Sequence, residues 1–141
     1  MNFKILKQSE TKSVTIQLCS DGVVRVIGKP QETMDEEQMK LNIKAYNSLI
    51  EGKSYAFMYY SLDDTFVFGS DAIKYAKANQ HSFPKICIAV VTKSLAQKIV
   101  ANFYLKISPQ LSPLKIFNSI SDAENWCYEQ IEKFNTAKVC K

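Results

Sequence analysis

A chain of 141 residues, 46% hydrophobic and 23% charged, is the size of one domain able to bury about two thirds of its unfolded surface. That composition excludes a disordered chain, and no apolar run approaches the roughly 18 residues of a membrane span. The net charge is +4, but Arg25 is the single arginine and the lysines are scattered, which argues against nucleic-acid binding.

The start, Met-Asn-Phe-Lys-Ile-Leu-Lys, lacks the continuous apolar core of a signal peptide. Residues 1–10 are expected as a frayed tail. Val14, Ile16 and Leu18 alternate with Ser13, Thr15 and Gln17, the period of a half-buried strand. Ser20-Asp21-Gly22 is a turn signal, and Val23 to Ile27 resumes a β-branched run, so the two segments form an antiparallel hairpin. Thr33-Met34-Asp35-Glu36 reads as a capping box with Thr33 as cap. The helix it opens runs to about Glu51, with Met39, Ile43, Tyr46 and Ile50 along one line and Gly52 as its stop. Asn42 falls inside the apolar arc, as a loop cap, a rim residue or a polar group in a cavity.

Tyr55-Ala-Phe-Met-Tyr-Tyr60 is apolar throughout, the pattern of a central parallel strand covered on both faces. After Asp63-Asp64 and the run Phe66-Val67-Phe68, Ser70-Asp71 is an expected N-cap with an acidic first turn, opening a short helix to about Asn79. Ile86 to Val91 is a second central strand. Thr92 or Ser94 caps a third helix, from Leu95 to Ile107. Leu114 to Phe117 is a short strand, and Ser121-Asp-Ala-Glu124 opens a last helix that packs through Ala123, Trp126, Cys127, Ile131 and Phe134. From about Asn135 the chain is expected to fray. The order β-β-α-β-α-β-α-β-α predicts a single α/β domain over 1–141, with a mostly parallel sheet, an antiparallel N-terminal edge hairpin and flanking helices.

Catalytic signatures are missing. There is no GxGxxG, P-loop or GxSxG elbow, and His81 is the sole histidine, in a polar loop. No metal-ligand spacing and no cofactor motif stands out. The four cysteines show no CxxC pair; Cys87 and Cys127 fall on apolar faces, which suits reduced thiols and a cytoplasmic location. Ser70, at a helix start, is a candidate regulatory phosphosite, because helix N-termini favour phosphate, and Asp71 stands beside it. The aromatic residues Tyr55, Phe57, Tyr59, Phe66, Phe68 and Phe103 are enough to line an apolar pocket with a few polar handles. Ala101 and Leu105, off the packed face of the third helix, are candidate contacts for a homodimer.

The run Ile88-Ala-Val-Val-Thr-Lys-Ser-Leu-Ala-Gln-Lys-Ile-Val-Ala-Asn-Phe-Tyr-Leu, then Pro113-Leu-Lys-Ile-Phe, then Asp122-Ala-Glu-Asn-Trp126, resembles the SpoIIAA-like proteins. These are a bacterial group with the STAS-type fold of anti-sigma-factor antagonists. The resemblance covers about Pro84 to Ile131 and implies that fold. It also implies a non-catalytic regulatory or protein-interaction module. STAS-type regulators carry a phosphorylated serine at the start of the helix after the third strand, in an Asp-Ser-Ser-Gly-like motif. Here that place reads Phe68-Gly69-Ser70-Asp71: one serine is present and the motif is not. The fold is also related to lipid-carrying Sec14-like domains, which implies the alternative of a carrier or sensor for a small apolar ligand.

Overall fold

The computed structural model describes residues 2–95, 97–99, 102 and 111–139. Strands β1 (Ile5–Glu10), β2 (Val14–Cys19) and β3 (Val23–Gly28) form an antiparallel meander. Parallel to β3 come β5 (Tyr55–Ser61), β7 (Lys85–Val91) and β8 (Leu114–Phe117), giving a six-stranded sheet in the order β1-β2-β3-β5-β7-β8. Two short strands, β4 (Thr33–Met34) and β6 (Val67–Phe68), pair in parallel as a separate ladder. Among the described residues the sheet is accompanied by helices α1 (Glu36–Ile50), α2 (Ser70–Ala78) and α3 (Ile120–Val139). Residues 95, 97–99 and 102 are also helical. The mixed α/β sheet with flanking helices is the architecture the sequence pattern predicts.

Strand alternation divides the interior in two, because successive side chains point to opposite faces. Val24, Val26, Phe57 and Tyr59 meet Met39, Ile43, Tyr46 and Ile50 of α1 and Ala72 of α2. On the other face Val23, Ala56, Met58, Cys87 and Ala89 meet Ala123 and Cys127 of α3. The small residues of that second face let a helix lie close on the sheet. Gly22, at φ 86°, turns the chain between β2 and β3, a conformation that costs glycine little. Gly28 serves another need: a Cβ there would lie 2.3 Å from Cγ of Phe66, so the ring closes over bare backbone.

Several expectations are corrected. Residues 1–10 do not fray as a whole: β1 pairs with β2 from Ile5↔Cys19 to Glu10↔Thr15. Of its side chains only Ser9 is half-buried and the rest are exposed, so backbone hydrogen bonds hold the strand and leave no hydrophobic period to read. Nor does the chain leave its helix at Asn135, since α3 continues to Val139. Its residues 132–138 are exposed, and good helix formers such as Glu132, Lys133 and Ala137 propagate it without packing.

The caps shift as well. The N-cap of α1 is Asp35, whose carboxylate accepts from Gln38 N at 2.8 Å, while Thr33 belongs to β4. That of α2 is Gly69, so Ser70 is the first helical residue and caps nothing. Ahead of α3, Ser119 Oγ accepts from Asp122 N at 3.2 Å, displacing Ser121. Ser94 does cap the next helical turn, with Gln97 N donating to its Oγ at 3.3 Å. Asn42 is fully buried and acts as the loop cap: it accepts from Thr11 Oγ1 at 2.7 Å and donates to Ser13 Oγ at 3.1 Å.

Candidate binding cleft at the carboxyl edge of the sheet

Because β3, β5, β7 and β8 run parallel, the helical segments that follow them all begin at the same end of the sheet. Asp35, Gly69, Ser94 and Ser119, which open those segments, therefore gather at its carboxyl edge, where open α/β sheets take ligands. The segments after β5, β7 and β8 enclose a cleft of about 390 Å3 there. Its polar lining comes from Ser61, Asp63, Asp64, Thr92, Lys93, Ser94, Asn118 and Ser119, and Leu62 and Ile120 contribute apolar surface. Leu62 is 77% exposed and Ile120 39%.

The cleft is tied together from its own side chains. Asp63 accepts from Thr65 N at 3.0 Å and Thr65 Oγ1 at 2.6 Å, and those bonds hold its carboxyl below the usual value. Gln97 imitates a strand, donating through Nε2 to Phe66 O and accepting at Oε1 from Phe68 N, both at 3.3 Å. Lys98 donates to Asn118 Oδ1, bridging the helical turn to the segment after β8. Thr92 Oγ1 accepts from Ser94 N at 3.1 Å.

Ser70 lies at the same edge, exposed, but does not line the cleft. Its neighbour Asp71 is the working side chain, accepting from Glu36 N at 3.1 Å and from Ala72 N at 2.9 Å. It thus spans the starts of α1 and α2. The aromatic candidates separate. Tyr59 and Phe68 line an apolar cavity of about 110 Å3 against α2, with Met39, Ile73, Phe83, Ile88, Val90 and Leu114. Phe66 lines the carboxyl-edge cleft instead. Phe57 is fully buried and, with Tyr55, packs in the core. Phe103, Ala101 and Leu105 lie outside the described residues.

One cluster escapes the sequence reading. Arg25 is 1% exposed and binds both oxygens of Asp21, at 3.1 and 2.9 Å, and Glu124 at 2.7 Å. Tyr128 donates to Asp21 Oδ2 at 2.6 Å, and the Phe3 ring lies 3.6 Å from the guanidinium carbon. Burial alone would lower the Arg25 pKa, but the bonds to Asp21 and Glu124 raise it. For Asp21 burial would raise the carboxyl, yet the bonds from Arg25, Tyr128 and Val23 N hold it below its usual value. Burial and the bond to Asp21 push the Tyr128 phenol up to about 12. The readable signal was an arginine inside the apolar run Val23 to Ile27, since a buried cation requires carboxylate partners. The network joins β3 and α3 and has the character of a structural clasp.

Among the described residues, no three His, Cys, Asp or Glu side chains group where they could hold a metal ion. No described helix is long and apolar enough to cross a membrane.

Sheet, helices and cleft together define a mixed α/β domain with a cleft at the carboxyl edge of its parallel strands. The sequence profile of a domain of unknown function, DUF7793, matches residues 17–130, and the chain belongs to that family. The structure is also similar to the crystal structure of an uncharacterized protein of the DUF3478 family, with a SpoIIAA-like fold, from Shewanella loihica PV-4. That match has 12% identity, covers 89% of this chain and 93% of that chain, and has a TM-score of 0.44. No curated protein matches the chain.

Proposed function

We propose that this protein is a non-catalytic interaction module whose partner docks over the carboxyl-edge cleft. The observation that carries the reading is the cleft itself: about 390 Å3, open, and lined by polar and apolar side chains together, with Leu62 and Ile120 exposed at it. Exposed apolar side chains rimmed by polar groups are what a protein partner covers. Acidic side chains cluster beside it, at Asp63 and Asp64 and at the joined starts of α1 and α2, with Asp35, Glu36 and Asp71. A docking surface carrying lysines or arginines and an apolar anchor complements that edge.

In-cell crosslinking with mass spectrometry, comparing wild type with Leu62→Lys/Ile120→Lys, tests the proposal. Both positions are exposed, so the variant is expected to fold normally by circular dichroism and to lose its crosslinked partners. An unchanged set of partners overturns the reading. Ser70→Asp, run in parallel, addresses regulation. A phosphate on Ser70 would add negative charge next to Asp71, a repulsive arrangement that changes binding at this edge; unchanged partners would end the phosphoswitch idea.

A second reading, carriage of a small apolar ligand, draws on the cavity lined by Tyr59 and Phe68. At about 110 Å3 it lies below the roughly 300 Å3 at which drug-sized ligand sites begin, so it suits only a small molecule.

A further inference from the structure

The cavity against α2 holds one group that an apolar core does not call for. Two lysines line it. Lys85 donates its ammonium to the carbonyls of Gln80 and Phe83. The Lys77 ammonium is closed off from solvent and meets no hydrogen-bond partner among the described residues. Loss of solvation lowers the Lys77 pKa, the response of a cation with nothing to compensate it. A buried charge without a counter-ion costs stability, and the group that would remove the cost is an anion. Most of the lining is apolar, Tyr59, Phe68, Ile73, Ile88 and Val90 among it, with Gln80, Thr92 and Gln97 as its other polar residues.

We propose that this cavity is a binding site for a small apolar carboxylate, with its tail among Tyr59, Phe68, Ile88 and Val90 and its carboxylate on Lys77 Nζ. The inference rests on the carrier reading and supplies the chemical class that reading lacks. Size sets the tail. A cavity takes about one water-sized group per 10–15 Å3, so 110 Å3 holds roughly eight non-hydrogen atoms, the number in hexanoate. An ammonium–carboxylate bond is a charge-assisted one, stronger than a neutral hydrogen bond. The same cavity offers a hydroxyl head no comparable partner.

Isothermal titration calorimetry of the full chain with hexanoate, hexan-1-ol and decanoate tests this at neutral pH. Hexanoate is expected to bind about tenfold or more tighter than hexan-1-ol, given the usual strength of hydrogen bonds to charged groups, and decanoate more weakly than hexanoate. Lys77→Met should abolish the preference for hexanoate while keeping hexan-1-ol binding. It should also melt no lower than wild type, since it removes an uncompensated charge. Ala76→Phe, which fills the cavity from α2, should remove binding of both. If hexanoate binds no tighter than hexan-1-ol to wild type, the carboxylate assignment is overturned and the apolar carrier reading survives. If neither binds, both fall.

Discussion

Without the guanidinium of Arg25, Asp21 would remain almost fully buried beside β3 with its counter-ion gone and only Tyr128 and Val23 N donating to it, and Glu124 would lose the contact that ties α3 to β3. Breaking a buried pair from one side costs about 3–5 kcal/mol, because the surviving charge is left uncompensated. Arg25→Met is therefore expected to lower unfolding free energy by about 3 kcal/mol at pH 7, measured by urea denaturation. The pH dependence follows from the direction of the Asp21 shift. A carboxyl held below its ordinary value of 3.8 stabilises the fold above that value, and the contribution is lost as pH falls through the folded-state pKa. In Arg25→Met protonation relieves Asp21 instead, so the gap between the two proteins should narrow below about pH 4. A gap that stays constant to pH 3 would mean that Asp21 is not the group responsible. The same side chain marks a limit of sequence reading. Arg25 was visible as the single arginine, but its partners lie 4 and 99 positions away, and no local period links Asp21 or Glu124 to it.

Elements with a strong period were legible. β2 and α1 bury the residues their alternation or 3.6-residue repeat selects, and β3, β5 and β7 were legible as continuous apolar runs. β1, β4 and β6 were not, because they are defined by backbone pairing: Thr33 and Val67 pair in register while both are exposed. Helix starts were legible only to within two residues, since Thr33 and Asp35, like Ser119 and Ser121, offer the same cap chemistry at adjacent places. Backbone geometry decides between them, and β4 holds Thr33 extended one step too early. The choice has a measurable consequence. Asp35→Ala and Ser119→Ala should each cost about 1 kcal/mol, the usual value of an N-cap. Thr33→Ala and Ser121→Ala, both at exposed positions, should stay within about 0.5 kcal/mol. Equal losses at Thr33 and Asp35 in chemical denaturation would return the cap to the box first read from the sequence.

Across the whole molecule, the sheet separates two cores that share strands but no side chains. The face under α1 and α2 is rich in rings, with Tyr46, Phe57 and Phe83 at centroid distances of 4.7–5.2 Å. Rings pack with gaps, and that face holds the apolar cavity. The face under α3 is built largely of small residues, Ala56, Cys87, Ala89, Ala123 and Cys127, all fully buried. From the sequence the aromatic strand was visible as a surplus of rings, but which of them border space depends on how α2 and β6 come to rest over Tyr59. Separate cores imply separable effects. Ala123→Leu adds three carbons where α3 meets Cys87 and Ala89, and overpacking of a close-fitted core costs about 1–3 kcal/mol. The loss should appear as a lower melting temperature, while hexanoate affinity at Lys77, on the opposite face, stays at the wild-type value. Distant sites with no shared partners add, so Ala123→Leu/Lys77→Met should show the sum of the two single changes in unfolding free energy. A departure well beyond about 0.5 kcal/mol would mean that strain under α3 passes through β5 and β7 to the cavity, and that the two faces act as one unit.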